Sequence, residues 1–199
     1  MKYSLFRYLY MEHLINSNEI KSLLGDKFPI LKTKMLEAFY KAGALKSFYE
    51  LFEMLNQDAI IILYENQPNQ GHWTAVLKTK CKDDKSGLMV DCIEFFDSYN
   101  KKPDEQNKYI PPQFHDDDVV TKMMINTPGI ITYNHYKFQK MKEGISTCGR
   151  HVLLRILMRK KTLDEYNHMI KSLMKESGKD ADEVVTDITE ELLGRKRLK

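Results

Sequence analysis

The chain has 199 residues and a formal net charge of +3, with 42% hydrophobic and 30% charged residues. A chain of this length and composition can bury the core of one soluble domain. The small net charge does not by itself indicate nucleic-acid binding, and no apolar run is long enough to predict a membrane span.

Cysteine usage and the N-terminus bear on the compartment. Charged residues interrupt the apolar ones within the first twelve positions, so no secretory signal is expected. Cys81, Cys92 and Cys148 are an odd number without the spacing of a disulfide framework. We therefore expect an intracellular protein in a reducing compartment.

The first part of the chain is predicted to be helical, because apolar residues recur there at steps of three and four. Ser17 or Asn18 is suited to cap a short helix that Gly25 ends. A stripe of aromatic side chains is expected to be core. The helical segments are residues 3–10, 34–40 and 45–55, and the stripe comprises Phe39, Tyr40, Phe48, Tyr49 and Phe52.

The middle of the chain is predicted to form a small sheet, which makes the fold class α+β. A β-branched run predicts a buried strand, and the two strands after it form a hairpin around a charged turn. The predicted strands are residues 59–64, 72–79, 88–97 and 130–133, with polar loops over 65–71 and 99–118 and a short helix at 119–124.

The chain from Cys148 onward is predicted to be helical again. The first helix runs to about Lys160, and a second begins at Thr162, where Glu165 completes a capping box. A third helix and a basic tail follow. We expect a single domain over 1–199, with an N-terminal helical part (1–57), a core (58–160), and C-terminal helices with a basic tail (161–199).

Cys148 is the first candidate for chemistry, because it begins a helix after a small, polar lead-in. The positive end of a helix dipole favours a thiolate over a thiol. Gly149 would leave space beside the sulfur for a substrate backbone. The alternative is that Cys148 is a small apolar residue at the start of a core helix.

A thiol nucleophile needs a base and a group that orients the base. His72 begins a predicted strand after a polar loop, and Asp97 ends the strand paired with it, so both lie at one end of the hairpin. A hydrogen bond between them would fix the imidazole tautomer. Alternatively, Asp97 caps a turn. His151 is expected to project from the flank of its helix, and His135 is a weaker candidate base in a loop.

Four separated motifs carry a resemblance. In chain order they are Gly-His-Trp-Thr, Phe-Asp-Ser-Tyr, Phe-Gln and Thr-Cys-Gly-Arg-His, at residues 71–74, 96–99, 138–139 and 147–151. This order resembles the adenovirus-protease and SUMO-protease-like clan of cysteine peptidases. The last motif and the lysine-rich composition look most like maturation proteases of virophages and related large DNA viruses.

The resemblance covers roughly residues 58–160 and implies a papain-like fold of the adenovirus-protease type. That fold has a small, mostly antiparallel central sheet flanked by helices, with the nucleophile at a helix N-terminus. In it Cys148 would be the nucleophile, His72 the general base and Asp97 the residue that orients the base. Gln139 would donate its side-chain amide to the oxyanion, alongside the backbone N–H of Cys148.

The resemblance also implies a substrate channel and partners. Trp73 would wall a narrow channel over the substrate's glycines, next to Gly149. Relatives often add a second tryptophan as a lid, whereas this chain has one tryptophan. The implied partners are viral capsid or other virion precursor polypeptides, in the host cytoplasm (viral factory) and the virion. DNA or a peptide is a candidate activator, with no membrane, and we expect no cofactor and no metal.

Four hypotheses follow from these residues. The first is a thiol endopeptidase that cuts viral structural precursors at Gly-X sites through an acyl-enzyme. The second is a protease that removes ubiquitin or a ubiquitin-like modifier. The third is an acetyltransferase on the same fold, which Asp97 (where such enzymes tend to have Glu) and the modest charge disfavour. The fourth is a non-enzymatic interaction module, which the complete set of four motif residues disfavours.

Overall fold

A five-stranded sheet runs through the computed structural model, which describes residues 15–25, 28–142 and 145–194. The strands are β1 (Ile30–Lys32), β2 (Ala59–Gln67), β3 (Gln70–Lys82), β4 (Met89–Phe96) and β5 (Ile130–Tyr133). They lie side by side in chain order. The central pairings β2–β3 and β3–β4 are antiparallel, and the outer pairings β1–β2 and β4–β5 are parallel, so the sheet is mixed.

Helices cover both faces of this sheet. The α-helices among the described residues are α1 (Ser17–Leu24), α2 (Thr33–Lys41), α3 (Phe48–Leu55), α4 (Val119–Ile125), α5 (Cys148–Leu157), α6 (Leu163–Ser177) and α7 (Ala181–Leu192). Two short 3₁₀ turns lie between β4 and α4, at Glu105–Tyr109 and Pro112–Phe114. The protein is therefore an α+β fold.

The alternation of side chains along β2 explains the two helical layers. Ile61 and Leu63 point to a core shared with α1, α5, α6 and α7, whereas Ile60 and Ile62 point to a core shared with α2, α3 and α4. All four side chains are almost fully buried. A strand buried on both faces needs a continuous apolar run, which is what the sequence of β2 provides.

Most predicted elements are confirmed in type, with several corrections. β1 was not predicted, and the expected loop over 65–71 is mostly strand, joined by a tight turn in which Asn69 has φ 62°. The helix α1 is capped by Asn16. In the aromatic stripe Phe39 and Tyr49 are exposed on the surface, whereas its other members are buried or partly buried. The predicted helix at residues 3–10 lies outside the described residues.

Cys81 and Cys92 form a disulfide, which corrects the expectation drawn from cysteine spacing. Strand register pairs Cys81 with Val90 and Cys92 with Thr79, so the two cysteines are diagonal neighbours across the hairpin. Their Cα atoms lie 6.0 Å apart, a distance that a disulfide spans. The register of the hairpin brings the two cysteines together. The cysteine spacing therefore does not indicate a reducing compartment.

A buried ion pair fixes α5 to the sheet. Arg155 of α5 donates from Nε to Oε1 of Glu94 on β4 at 2.8 Å and from Nη2 to Oε2 at 2.6 Å. Neither side chain is exposed to solvent. The guanidinium also donates to the carbonyl oxygens of Met158 and Lys161, so its donors are widely satisfied. Such a pair determines where the helix lies.

Replacing one partner of this pair should be costly. In Arg155→Met the Glu94 carboxylate stays buried without its counter-charge, so we expect the free energy of unfolding to fall by about 3–5 kcal/mol. The double variant Arg155→Met/Glu94→Leu should recover much of the loss. Urea denaturation measures both, with Lys80→Met as the control because Lys80 pairs with Asp91 on the exposed surface. Additive losses in the double variant would contradict the coupling.

Candidate active site

Cys148 is the first residue of α5 and is only 6% exposed. The backbone N–H groups of the first helical turn have no partner within the helix, so they can donate to a negative charge at this end. Thr147 precedes the helix, and its hydroxyl bonds to Asp182 instead of capping the helix. The predicted placement of Cys148 at a helix N-terminus is confirmed.

His72 and Asp97 meet beside Cys148. His72 lies in β3, and Asp97 directly follows β4, at the same end of the hairpin. The Nε2 atom of His72 is 3.0 Å from Oδ1 of Asp97; the Asp97 side chain is fully buried and that of His72 is 9% exposed. The carboxylate oxygen lies off the N–H direction of the ring, so this contact is an ion pair more than an aligned hydrogen bond. The imidazole also interacts with the Cys148 side chain.

The surroundings of His72 favour its charged form. Burial lowers the pKa of His72, but the nearby Asp97 carboxylate and the Cys148 sulfur together outweigh burial and raise that pKa to about 10. The imidazole therefore holds a proton beside the sulfur at neutral pH. Structurally, the predicted base, orienting acid and thiol form one buried cluster.

Further polar side chains hold Asp97. Oδ2 of Asp97 accepts from Nε2 of Gln106 at 3.0 Å, and its backbone oxygen accepts from Nδ2 of Asn134 at 2.6 Å. Oδ1 also accepts from the backbone N–H of Tyr99 at 2.7 Å. Gln106 and Asn134 were not predicted from the sequence. Gln106 lies in the connection between β4 and β5, and Asn134 directly follows β5. The positions of both therefore depend on the parallel pairing of β5 with β4.

Gln139 bridges the Asp97 turn and the segment that leads into Cys148. Its Oε1 accepts from Oγ of Ser98 at 2.7 Å, and its Nε2 donates to the backbone oxygen of Ile145 at 3.3 Å. Only 1% of Gln139 is exposed, so it is a buried residue and not a surface glutamine. The side-chain amide is thereby held between the two parts of the site.

Tyr99 is a site residue that the sequence did not single out. Its ring stacks on the imidazole of His72, with centroids 4.8 Å apart and an interplanar angle of 21°. Its side chain also bonds to Gln139. Burial raises the pKa of Tyr99, and the charges of Cys148, Asp182 and Asp97 add to this. Tyr99 is thus the aromatic residue that packs directly on the predicted base.

The space beside Gly149 is filled by the protein itself. A Cβ atom there would overlap Cγ2 of Ile15 and lie 3.4 Å from Cδ1 of Trp73. Ile15 and Trp73 are both buried, at 2% and 6% exposure. The expectation that Gly149 clears space for a substrate backbone is therefore corrected: its missing side chain makes room for Ile15. Trp73 belongs to the same core cluster as Cys148.

The other candidates lie away from this cluster. His135 is exposed on the surface, 3.9 Å from Asp164. A run of three aspartates at 116–118 could suggest a cation site, but Asp116 is buried and accepts from the N–H of Val119. Within the described ranges no group of His, Cys, Asp and Glu has the arrangement of a metal site, and no helix there is long and apolar enough to cross a membrane. The basic tail, residues 195–199, lies outside the described residues.

His151 is buried three residues after Cys148, and its Nε2 lies 3.1 Å from Oδ1 of Asp182. The expectation that it projects away from the sulfur agrees with this separate pairing. The helix α5 therefore carries a second histidine–aspartate contact that involves no residue of the His72 cluster.

The charge of His72 should depend on Asp97. In Asp97→Asn the imidazole should lose its proton below the wild-type pKa of about 10. Because the folded pKa lies above 6.5, the charged ring stabilises the fold fully below pH 6.5, and this contribution is lost as the pH rises to about 10. NMR titration of labelled histidines measures the pKa, and unfolding of wild type against His72→Gln measures the stability. An unchanged titration in Asp97→Asn would contradict the assignment.

Sequence comparison places the chain among viral proteins. No family model matches it. It is 30% identical over 179 residues to a protein of Sputnik virophage named Uncharacterized protein V9, across 76% of this chain and 97% of the relative. This confirms the virophage side of the resemblance. Similarity over nearly the whole relative indicates common descent, and the chain belongs to the same protein family as V9 of Sputnik virophage.

Proposed function

We propose that the protein is a cysteine endopeptidase with a papain-like fold of the adenovirus-protease type. The observation that carries the proposal is the buried cluster of Cys148, His72 and Asp97, with the thiol at a helix N-terminus. A structural cysteine would need neither a charged imidazole beside it nor a carboxylate behind that imidazole. Perturbed pKa values and convergent polar groups are characteristic of catalytic sites.

The chemistry follows from the positions of these groups. His72 holds the proton taken from Cys148, and the thiolate attacks the scissile carbonyl carbon. The developing oxyanion accepts hydrogen bonds from the backbone N–H of Cys148 and from the Gln139 amide. His72 then gives its proton to the leaving amine as the C–N bond breaks. A water molecule, deprotonated by His72, hydrolyses the acyl-enzyme and frees the thiol.

Asp97 acts through His72 in this scheme. Its Oδ1 fixes the imidazole, while Gln106 and the N–H of Tyr99 fix the carboxylate in turn. The Tyr99 ring covers one face of the imidazole and limits rotation about its side-chain bonds. Rigid support of this kind keeps the base within reach of the sulfur.

Two further observations support the proposed substrate class. The first is the family relationship to a virophage protein, which is consistent with viral structural precursors as the proposed substrates. Trp73 lies beside the helix that carries Cys148, with its Cδ1 atom 3.4 Å from the position that a Cβ atom at residue 149 would take. In the proposal, its ring narrows the approach to the sulfur so that glycine is preferred there. We propose cleavage at Gly-X sites during virion maturation. Because Ile15 covers Gly149, substrate entry along this side requires that Ile15 move.

Removal of the thiol tests the proposal directly. Cys148→Ala should fold like the wild type and abolish cleavage of co-expressed capsid precursors, because no other described cysteine is free. His72→Gln should abolish it as well. His115→Gln is the matched control, since the His115 ring contacts the backbone oxygen of Ile110 in a loop. Unchanged processing by Cys148→Ala would refute the assignment.

Substrate panels separate the proposed activity from removal of modifiers. A maturation protease should cleave short fluorogenic peptides that end in Gly-Gly and act slowly on intact ubiquitin-like modifiers. The opposite preference would favour a deconjugating protease. Label transferred from acetyl-CoA to a substrate side chain would favour an acetyltransferase.

Loss of the Gln139 amide should slow catalysis without removing the reactive thiol. We expect Gln139→Glu to lower kcat by about 10²–10³-fold, because a carboxylate oxygen replaces a hydrogen-bond donor to the oxyanion. Alkylation of Cys148 by iodoacetamide forms no oxyanion and should change little. Gln113→Glu is the control on the exposed surface. A kcat equal to that of wild type would remove Gln139 from the oxyanion site.

A further inference from the structure

Asp182 lies in the first turn of α7, in the part of the chain that the four motifs do not include, yet it touches the candidate site. Its carboxylate is completely buried. Oδ1 accepts from the hydroxyl of Thr147 and lies 3.1 Å from Nε2 of His151. Oδ2 accepts from the backbone N–H of Lys140 at 3.0 Å. A buried carboxylate is costly without donors, and these three groups satisfy it.

The partners of Asp182 are sequence neighbours of the two oxyanion donors. Thr147 directly precedes Cys148, and Lys140 directly follows Gln139. One oxygen of Asp182 thus holds the segment that carries the Cys148 N–H, while the other holds the segment that carries the Gln139 amide. These segments belong to a connection between β5 and α5 that has no strand or helix of its own among its described residues.

The helix that carries Asp182 is itself well fixed. Asp180 and Glu183 form a capping box at the start of α7. Arg150 of α5 bonds to Thr189 at 2.6 Å and to Glu190 at 2.5 Å, both on α7. The distance between α7 and the nucleophile helix is therefore determined at two points, Arg150 and Asp182. A carboxylate on such a support can hold a loop in place.

We propose that Asp182 is a positioning residue that sets the distance between the Gln139 amide and the backbone N–H of Cys148. The inference rests on the proposed function. Both donors must point to the same oxygen atom, and displacement by about 1 Å costs up to about 10²-fold in rate. Without Asp182 the Gln139 segment keeps its hydrogen bonds to Ser98. It loses the carboxylate that ties it to Thr147 at the start of the helix, while the His72–Cys148 contact stays in place.

Two variants and one control test this role. Asp182→Asn weakens both ties, and Thr147→Val removes only the hydroxyl on the nucleophile side while keeping the shape of the side chain. Thr147→Val also keeps the test decisive if Asp182→Asn does not fold. Asp187→Asn is the control, because Asp187 lies on the same helix and pairs with Lys179.

The kinetic measurements distinguish positioning from general support. We expect Asp182→Asn to lower kcat on a Gly-Gly-X peptide by about 10–100-fold, and to weaken a Gly-Gly aldehyde by a similar factor. Alkylation of Cys148 by iodoacetamide should stay within about twofold of wild type, since it needs no oxyanion donors. Thr147→Val should show the same pattern with smaller losses, and Asp187→Asn should match wild type.

Hydrogen exchange gives a measurement that does not depend on activity. Residues 138–142 and 145–148 should exchange faster in Asp182→Asn and Thr147→Val than in wild type or Asp187→Asn. Unchanged exchange, or losses of alkylation that parallel the losses of kcat, would overturn the positioning role. A wild-type protein that cleaves no peptide would contradict the proposed function, and the exchange comparison would still decide whether Asp182 holds the segment.

Discussion

The ion pair between Arg155 and Glu94 is the contact on which the site geometry depends. It joins the helix that begins at Cys148 to the strand that Asp97 directly follows, so the thiol and the acid are positioned by the same pair of elements. An unpaired charge in that core would be costly, which leaves the helix one favourable placement on the sheet. The neighbouring strand β3 brings His72 to the same end of the hairpin through its register with β4.

Opposing electrostatic effects act on His72 at that end of the hairpin. Burial disfavours a charged imidazole, yet the carboxylate of Asp97 and the sulfur of Cys148 lie close enough to favour it. The carboxylate in turn accepts hydrogen bonds from Gln106 and from the Tyr99 N–H, which hold it in place. Gln106 and the Tyr99 N–H thus hold Asp97, and Asp97 favours the charged imidazole of His72. Burial disfavours an isolated charge, but it strengthens the interaction between two paired charges.

Local patterns were enough to predict the elements, the hairpin and the ends of its strands, and from these His72 and Asp97 were expected to meet. The parallel edge strands, the disulfide between Cys81 and Cys92, and the role of Asn134 depend on pairings between distant segments, which periodicity does not encode. Asp182 was missed for the same reason, since an aspartate in the first turn of a helix is ordinarily explained by the helix dipole.

Gly149 is constrained by packing against Ile15, whereas its position beside Cys148 suggests that it makes room for a substrate. Beside a nucleophile, a missing side chain is expected to serve the substrate, but here Ile15 occupies the space and packs with Trp73. The segment that begins α1 is therefore part of the wall of the site. In the proposed peptidase, a peptide that approaches Cys148 along this wall would have to displace Ile15 and replace its contacts. The proposed preference for glycine would then depend on competition with a residue of the protein itself.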